Sequence, residues 1–419
     1  MDVGNIAELN TFLVLDAIRS RGEATRRQLG RELGLSDASV SRIVKRLLDG
    51  GLIEELPRDS PGAPGAGAPV AGSAARGRTP SVLRFVGSAG AVIAVDLGGT
   101  RCHGALADLA GGTVAMDFRA SADAGDAAAT LLACIRALQG RAAGLAVPVR
   151  AVVVGIPALI DPVSQLATAG PNVHWQGFDL LGVLRAELTE PFEVDNDVNL
   201  AALGEAWRGQ GRGISSFVTM SLGTGIGGAV VIDGHLVRGA HNAAGEVAYF
   251  PFWPRPGAAA GGAPGRPGFE DVAAGPALRA RAAELIRGGV PSELPAEPGG
   301  GPGFEVADVF AAATRGDQAG RQVVSELTEY VAAAIAGITA LVDPERIILD
   351  GAVGRALEPW LPELRAGVAA SVFAPPGIVV SGLGADAAIA GAIARALAIV
   401  SELDVPAHLR PIAYQRHKS

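Results

Sequence analysis

Two glycine-rich loops, each placed between apolar segments with strand character, constrain the fold of this sequence more than any other feature. The first lies in "IAVDLGGTRCHGALAD", which begins at Ile93, and the second in "FVTMSLGTGIGGAVVIDG", around Ser221. Glycine lets backbone N–H groups approach a phosphate, because it has no side chain to block the approach. The nucleotide-binding residues that we predict are Asp96, Gly98, Gly99, Thr100, Gly223, Thr224, Gly225, Gly227 and Gly228. Two such loops in separate halves of the chain predict a duplicated fold that holds a nucleotide between two lobes.

The second loop formally contains the GxGxxG pattern, at Gly223, Gly225 and Gly228. A dinucleotide-binding fold needs a helix directly after these glycines. The sequence continues instead with "AVVIDG", which is typical of a strand and a turn. The pattern GxxxxGK followed by Ser or Thr does not occur in the chain. The sequence therefore excludes the Rossmann and P-loop folds.

The segment "PFEVDNDVNLAALGEAWRG" places Asp195, Asn196 and Asp197 after a short strand and before a predicted helix. A carboxylate at a strand end that faces a cleft can accept the proton of a substrate hydroxyl during phosphoryl transfer. Asp and Asn are also favoured as helix caps. Both roles are open for this cluster.

The N-terminal part of the chain has the pattern of a helix-turn-helix. "TRRQLGRELG" favours a short helix, Gly34 permits a tight turn, and Ser36 can cap the helix "DASVSRIVKRLLDGG". The second helix has an apolar stripe at helical spacing, formed by Val40, Ile43, Val44 and Leu47. Its opposite face is then exposed and can read a DNA groove. The DNA contacts that we predict are Arg26, Arg27, Ser36, Asp37, Ser39, Ser41, Arg42, Lys45, Arg46 and Arg78.

The charge distribution agrees with DNA contact at this end of the chain. The formal net charge is −8, yet residues 19–46 carry eight basic residues against three acidic ones, Glu23, Glu32 and Asp37. Such an asymmetry is typical of proteins that contact nucleic acid locally. The alternative is a solvated charged face on an ordinary helical hairpin.

A Pro-, Gly- and Ala-rich insertion at about 57–78 separates "LIEEL" from "SVLRF". These two segments can pair as the strands of a wing, or the whole stretch is an interdomain linker without a core of its own. The two cysteines, Cys102 and Cys134, are too few for a disulfide framework, which predicts a reducing cytoplasm. The sequence has no signal-peptide pattern and no run of 18 apolar residues, so we expect neither export nor a membrane span.

Taken together, "DLGGT", "DNDVNLAALGE", "GTGIGG", "AGE" and "LGADAAIAGA" resemble the ROK family (repressor, open reading frame, kinase). The N-terminal helix-turn-helix resembles that of its repressor branch. The resemblance implies an α/β protein, in which a winged helix-turn-helix precedes a two-lobed, actin-like ATPase domain of the sugar-kinase type. It also implies a sugar or sugar phosphate in the cleft, operator DNA as a partner, and a homodimer or tetramer.

The resemblance extends to individual residues. Asp197 matches the catalytic base of the family, and Asn196 matches a residue that binds sugar hydroxyls. Asn172, Glu246 and Glu270 match further sugar contacts. These five residues are dispersed along the chain and are predicted to form one sugar pocket.

The sequence departs from the family pattern at two places. Tyr249 replaces a histidine, and no cysteine lies between Tyr249 and Glu270, so the zinc loop of the family is absent and we expect no zinc. Asp350 replaces a glycine near the expected nucleotide, where a carboxylate repels polyphosphate.

We predict a winged helix-turn-helix at 1–86, a first lobe at 87–200, a second lobe with the C-terminal helix at 201–400, and a tail at 401–419. The favoured function is a sugar-responsive regulator of carbohydrate metabolism genes, and we expect it to be a repressor. An ATP-dependent sugar kinase that also binds DNA is the alternative, with ATP and Mg²⁺ as its cofactors; the regulator requires none. An interaction protein with a vestigial cleft is the third hypothesis.

Overall fold

The computed structural model describes residues 3–57, 81–98, 101–120, 127–169, 177–251, 268–295 and 303–403. Four of the predicted site residues lie outside the described residues, namely Arg78, Gly99, Thr100 and Asn172. The predicted insertion lies outside them from residue 58 onward, and the tail does so from residue 404.

The N-terminal domain is a winged helix-turn-helix, as predicted. Its elements are α1 (Val3–Arg21), β1 (Glu23–Ala24), α2 (Arg26–Leu33), α3 (Asp37–Asp49), β2 (Ile53–Pro57) and β3 (Ser81–Phe85). Gly34 ends α2 with a φ of 65°, a left-handed conformation that favours glycine, and Ser36 caps α3. The apolar stripe of α3 is buried in the core of this domain. The strands β2 and β3 pair antiparallel, with Ile53 opposite Phe85, which confirms the wing.

The first lobe follows this domain. Its elements are β4 (Ala91–Leu97), β5 (Arg101–Asp108), β6 (Thr113–Ala120), α4 (Ala127–Gly144), β7 (Val149–Ile156), β8 (Ala158–Ile160), β9 (Ala167–Ala169), α5 (Leu180–Glu187), β10 (Phe192–Asn196) and α6 (Asp197–Arg208). Five strands form one sheet in the order β10-β7-β4-β5-β6.

The second lobe repeats this architecture. Its elements are β11 (Phe217–Leu222), β12 (Ile226–Ile232), β13 (His235–Val237), α7 (Glu270–Ala273), α8 (Gly275–Arg287), α9 (Val306–Arg315), α10 (Gln318–Val342), β14 (Arg346–Asp350), α11 (Gly351–Ala356), α12 (Leu361–Ala369) and β15 (Gly377–Val380). The sheet order is β13-β12-β11-β14-β15. In both sheets an antiparallel meander of three strands is extended by two parallel strands. The predicted duplicated α/β fold is therefore confirmed, and each glycine loop joins the first two strands of its sheet.

The C-terminal helix α13 (Ala387–Leu403) corrects the predicted lobe boundaries. We assigned it to the second lobe, but its apolar face packs on the first sheet, where Ile389 and Ile393 meet Val92 and Val153. It also lies against α6 at a close approach: a Cβ at Gly391 would be 1.7 Å from the carbonyl oxygen of Leu200. The predicted boundary at residue 200 falls inside α6. This helix packs against both sheets, so it belongs to neither lobe alone.

Two helical segments, Gln318–Val342 and Gly384–Ser401, are long and apolar enough to cross a membrane by length and composition. Packing accounts for this composition. The helix α10 contributes to the core of the second lobe, and α13 packs on the first sheet.

Candidate functional site

A cleft of about 1660 Å³ lies between the two lobes and is lined by both glycine loops. Ten predicted site residues line it, namely Asp96, Gly98, Asn196, Asp197, Gly223, Thr224, Gly225, Gly227, Glu246 and Glu270. Pockets for small ligands usually measure about 300–1,000 Å³, so the cleft has room for a sugar and a second ligand. Gly228 is buried outside this lining.

Asn196 and Asp197 lie where β10 ends and α6 begins, and Asn196 has the predicted capping role. Its Oδ1 accepts hydrogen bonds from the backbone N–H groups of Val198 (3.0 Å) and Asn199 (3.3 Å), so it is the cap of the helix. Asp197 Oδ1 accepts from the N–H of Val198 at 2.9 Å.

Two carboxyl groups in the cleft have strongly raised pKa values. Burial, followed by the nearby carboxylate of Asp96, raises the pKa of Asp197 to about 7. Burial also raises the pKa of Asp96 to about 6, although the Arg101 guanidinium acts in the opposite direction. Within the described residues, Asp96 Oδ1 is a buried oxygen without a hydrogen-bond partner. Perturbed, unsatisfied carboxyls in a cleft are typical of functional sites.

Glu246 and Glu270 lie close together on the second-lobe side of the cleft. Burial, and then the charge of Glu270, raises the pKa of Glu246. Glu270 Oε2 accepts a hydrogen bond of 2.8 Å from the N–H of Ile226, which fixes the second glycine loop. Tyr249, which replaces the family histidine, lines the cleft and is 61% exposed. The structure thus brings four of the five predicted sugar contacts to one cleft, and their role in sugar binding stays a prediction.

The glycines of the two loops serve different purposes. A Cβ at Gly98 or Gly223 would meet no atom closer than 3.5 Å, so a side chain would fit there. The N–H groups of both glycines donate within their own turns, Gly98 to the carbonyl of Arg101 at 2.8 Å and Gly223 to that of Gly225 at 2.9 Å. A Cβ at Gly227 would be 2.8 Å from Val198, and one at Gly228 would be 2.7 Å from the carbonyl of Gly245. Gly227 and Gly228 are therefore required for packing, whereas the nucleotide-binding role of Gly98 and Gly223 stays a prediction.

Four arginines that are absent from the predicted site residues line the cleft, namely Arg101, Arg281, Arg287 and Arg355. Arg101 lines it directly after the first glycine loop, where its position beside a phosphate-type loop was a visible signal. Arg355 Nη1 donates to Asp350 Oδ1 at 2.8 Å, and the Asp350 side chain is 9% exposed. The predicted repulsion of polyphosphate by Asp350 is therefore partly offset by Arg355, and no local sequence pattern indicates this pair.

The predicted DNA-reading face of α3 is exposed. Five predicted DNA contacts on this helix are exposed to solvent, as is the neighbouring Ala38; the five are Asp37, Ser41, Arg42, Lys45 and Arg46. Lys45 pairs with Asp49 at 2.7 Å, but both side chains are largely exposed, so this pair is weak and a phosphate can displace it. Ser36 and Ser39 contact each other at the cap, with a distance of 3.0 Å between their hydroxyl oxygens.

The two arginines at the start of α2 differ. Arg27 is exposed. Arg26 Nη2 donates to Glu55 Oε2 of the wing at 2.8 Å, and its Nη1 lies 3.3 Å from the hydroxyl of Ser81. Arg26 thus ties α2 to the wing, and its contact with DNA stays a prediction.

Residues 92–399 match the model of the ROK family, and residues 8–62 match that of the MarR family. The chain is 25% identical over 370 residues to the xylose repressor of Caldicellulosiruptor bescii, which covers 86% of this chain and 87% of that protein. It is 33% identical over 206 residues to a glucokinase of Halalkalibacterium halodurans, covering 48% of this chain and 61% of the enzyme, less than two thirds of its length.

Among solved structures, a ROK family transcriptional regulator homologous to the E. coli MLC protein has a similar fold. The TM-score is 0.77 at 24% identity, over 96% of this chain and 99% of that one.

Proposed function

This chain belongs to the ROK family, and from that premise we propose that it is a sugar-responsive regulator that represses genes of carbohydrate metabolism. The observation that carries the proposal is the presence, in one chain, of an exposed basic reading helix and a carboxylate-lined interlobe cleft. The similarity to a xylose repressor extends over 86% of this chain, and the MarR family model matches residues 8–62, which include the reading helix.

The DNA partner is recognised by α3. Arg42, Lys45 and Arg46 project from a helix whose opposite side is buried, which is the geometry of a recognition helix in the major groove. Such cations contact phosphates and base edges, so the affinity falls steeply with salt. One DNA-binding domain reads one half-site of an operator, and we therefore propose a homodimer or tetramer. We also propose that the protein acts in the cytoplasm.

The effector is a hexose, a related sugar or its phosphate. Ionised Asp197, Glu246 and Glu270 can accept hydrogen bonds from sugar hydroxyls, and the Asn196 amide can donate one. Because these groups come from both lobes, a bound sugar favours closure of the cleft. Closure changes the spacing of paired heads and thereby the affinity for DNA.

The test is a fluorescence anisotropy titration of DNA selected from a random pool by the full chain, with and without D-glucose, D-xylose and their phosphates. We expect specific DNA binding and a change in affinity of about 5- to 150-fold with at least one sugar. Specific DNA binding that no sugar alters would contradict the sensor, and absence of DNA binding would contradict the regulator.

The alternative function is an ATP-dependent sugar kinase. The position of Asp197 in the cleft supports it, as does the similarity to a glucokinase. Bound ATP with Mg²⁺ would supply the phosphoryl group, and Arg101 is suitably placed for a phosphate. The DNA-binding domain and the buried Asp350 favour a regulator without turnover. We also propose that the protein holds no zinc, because the segment from Phe250 to Phe269 contains neither cysteine nor histidine; one zinc per chain by elemental analysis would refute this.

A further inference from the structure

An arginine of the second lobe is paired with a buried carboxylate of the first. Arg238, directly after β13, donates through Nη1 to Asp195 Oδ1 of β10 at 2.9 Å. Its Nη2 lies 2.7 Å from Asp195 Oδ2, an ion-pair contact outside hydrogen-bond geometry. The Asp195 side chain is 4% exposed, and such a buried charge needs its counterion. Arg238 therefore links the two lobes, because the buried carboxylate of the first lobe has its counterion in the second.

The same carboxylate orders the strand end that carries the predicted sugar contacts. Asp195 Oδ1 accepts from the backbone N–H of Asn196 at 2.8 Å and from Asn199 Nδ2 at 3.0 Å. Any movement of Arg238 relative to β10 is thereby transmitted to Asn196 and to Asp197 next to it.

Arg238 also begins the loop that carries Glu246. The loop is closed by a hydrogen bond of 3.1 Å from the N–H of Ala244 to the carbonyl of Arg238. Asn242 in the same loop donates to the carbonyl of Ile160 in the first lobe at 2.9 Å. A ligand that contacts Glu246 therefore acts directly on the segment that holds Arg238.

A second ion pair continues from β10 to α13. Glu193, two residues before Asp195, lies 3.6 Å from Arg238 Nη2. It accepts hydrogen bonds from Arg395 of α13, through Nε at 2.9 Å and Nη2 at 2.7 Å. Because residues two apart on a strand share a face, Asp195, Arg238, Glu193 and Arg395 form one row of alternating charge. We name these four residues the charge row.

The helix that receives the row extends from the cleft to the DNA-binding domain. Ala388 in its first turn lines the cleft. Ser401 in its last turn accepts a hydrogen bond of 2.5 Å from Arg19 Nη1 of α1. Apolar side chains complete this contact, namely Leu15, Leu52, Phe85, Leu109, Leu397 and Val400. Seventeen residues of helix span about 25 Å, so α13 connects two distant sites as one rigid element.

We propose that Arg238 and Arg395 are positioning residues that couple a sugar in the cleft to the DNA-binding domain through α13. This inference rests on the proposed function. When a sugar shifts the loop of Glu246, Arg238 moves relative to β10, Glu193 and Arg395 follow, and α13 changes its contact with α1. The row supplies the physical connection, and each ligand biases the same two arrangements of α13.

Arg395→Gln tests the proposal, because Arg395 is remote from both ligands. Operator affinity is measured by anisotropy, and sugar affinity by calorimetry, with D-glucose and D-xylose as probes and DNA selected by the full chain. We expect each separate affinity to stay within about twofold of wild type, while the factor by which sugar changes DNA affinity falls at least about fivefold. The factor by which DNA changes sugar affinity must fall equally, since linkage is reciprocal, and a merely structural defect would not produce this equality.

The matched control is Arg136→Gln, which removes an Arg–Glu pair of 2.5 Å with Glu187 in the same lobe. It should keep the wild-type coupling. Glu193→Gln, the partner variant, should reproduce Arg395→Gln and replaces it if that variant does not fold, whereas Arg395→Lys should restore part of the coupling. Unchanged coupling in the folded variants overturns the charge row. A wild-type protein that binds DNA but does not respond to either sugar overturns the proposed sensor instead.

Discussion

The DNA-reading surface and the interlobe cleft differ in how far their charged groups are exposed to solvent. On α3 the cations Arg42, Lys45 and Arg46 are exposed, and the Lys45 side chain is 76% exposed even in its pair with Asp49. In the cleft carboxylates lie among arginines, and burial raises the pKa of Asp96 and Asp197 to about 6 and about 7. Exposed charges are screened by salt, whereas buried ones respond to pH. The two regions should therefore be separable by mutation, by salt and by pH.

The largest effect is expected from Arg42→Ala combined with Lys45→Ala. Loss of two groove-facing cations should weaken operator binding about a hundredfold. It should also reduce the slope of log affinity against log salt concentration by roughly 2, since about two phosphate contacts are lost. Sugar affinity should not change, because α3 is distant from the cleft. Anisotropy titrations at several salt concentrations measure both effects.

The control for this variant is Arg141→Ala combined with Arg185→Ala, two exposed arginines on α4 and α5 of the first lobe. It removes the same net charge at a different place. Equal loss of DNA affinity in both double variants would mean that overall charge, and not α3, attracts DNA.

The next effect is expected from Glu246→Ala. Loss of a charged hydrogen-bond acceptor in a buried site should weaken sugar binding roughly 10- to 100-fold, and DNA binding without sugar should stay as in wild type. Thermal shift with D-glucose and D-xylose provides the measurement. The control is Glu358→Ala, an exposed glutamate outside the cleft. A sugar that stabilises the Glu246 variant as much as the wild type would remove Glu246 from the pocket.

The same contrast explains how far the sequence could be read. The helix-turn-helix was predictable in detail because it depends on local signals, namely the spacing of Val40 to Leu47, the cap at Ser36 and the turn at Gly34. The duplicated sheets were predictable because each glycine loop lies between two apolar strands. Local patterns of this kind do not depend on distant partners.

Long-range pairings were not predictable. The chain separates Arg238 from Asp195 by 43 positions and Arg26 from Glu55 by 29. Nothing in their local sequence indicates either pair. The position of α13 also depends on a surface of the first sheet that forms only after folding, so an amphipathic pattern alone could not assign it to a lobe. The predicted roles of Asn172 and Arg78 stay predictions, since both lie outside the described residues.

A smaller effect, on stability, should distinguish the cleft from the exposed surface by pH. The pKa of Asp197 is raised to about 7, above its unfolded value near 3.9. The folded state therefore keeps a proton that the unfolded state releases, and this contribution is present below about pH 4 and is lost as the pH rises through about 7. Asp197→Asn removes the buried charge, so it should stabilise the sugar-free protein by about 1–2 kcal/mol at pH 8 and by much less at pH 5.

Chemical unfolding at the two pH values measures this difference, and Glu358→Gln serves as the exposed control. If Asp197→Asn has the same effect at pH 5 and pH 8, the raised pKa is not a property of the folded cleft.

The smallest effect is expected for turnover and its connection to DNA release. The groups that phosphoryl transfer needs are partly present, since Asp197 and residues of both glycine loops line the cleft. Catalysis of this reaction depends on positioning, and a displacement of about 1 Å can cost roughly a hundredfold in rate. We expect the buried Asp350, and the absence of cysteine and histidine between Tyr249 and Glu270, to disfavour that positioning. We therefore expect ATP-dependent phosphorylation, measured as ADP release with Mg²⁺ over a sugar panel, to be absent or far below the roughly 1–100 s⁻¹ of working kinases.

The decisive variant is again Asp197→Asn, because an asparagine keeps hydrogen-bonding capacity toward a sugar but cannot act as a base. If sensing requires sugar binding alone, the factor by which sugar changes DNA affinity should stay within about threefold of its wild-type value. A threefold change is smaller than the factor of about 5 that marks the weakest usual coupling between two sites. Robust turnover that disappears in Asp197→Asn, together with loss of the DNA response, would mean that the cleft signals through catalysis. The DNA-reading surface and the cleft would then belong to a bifunctional kinase, and the contrast between them would be one between a catalyst and its regulator domain.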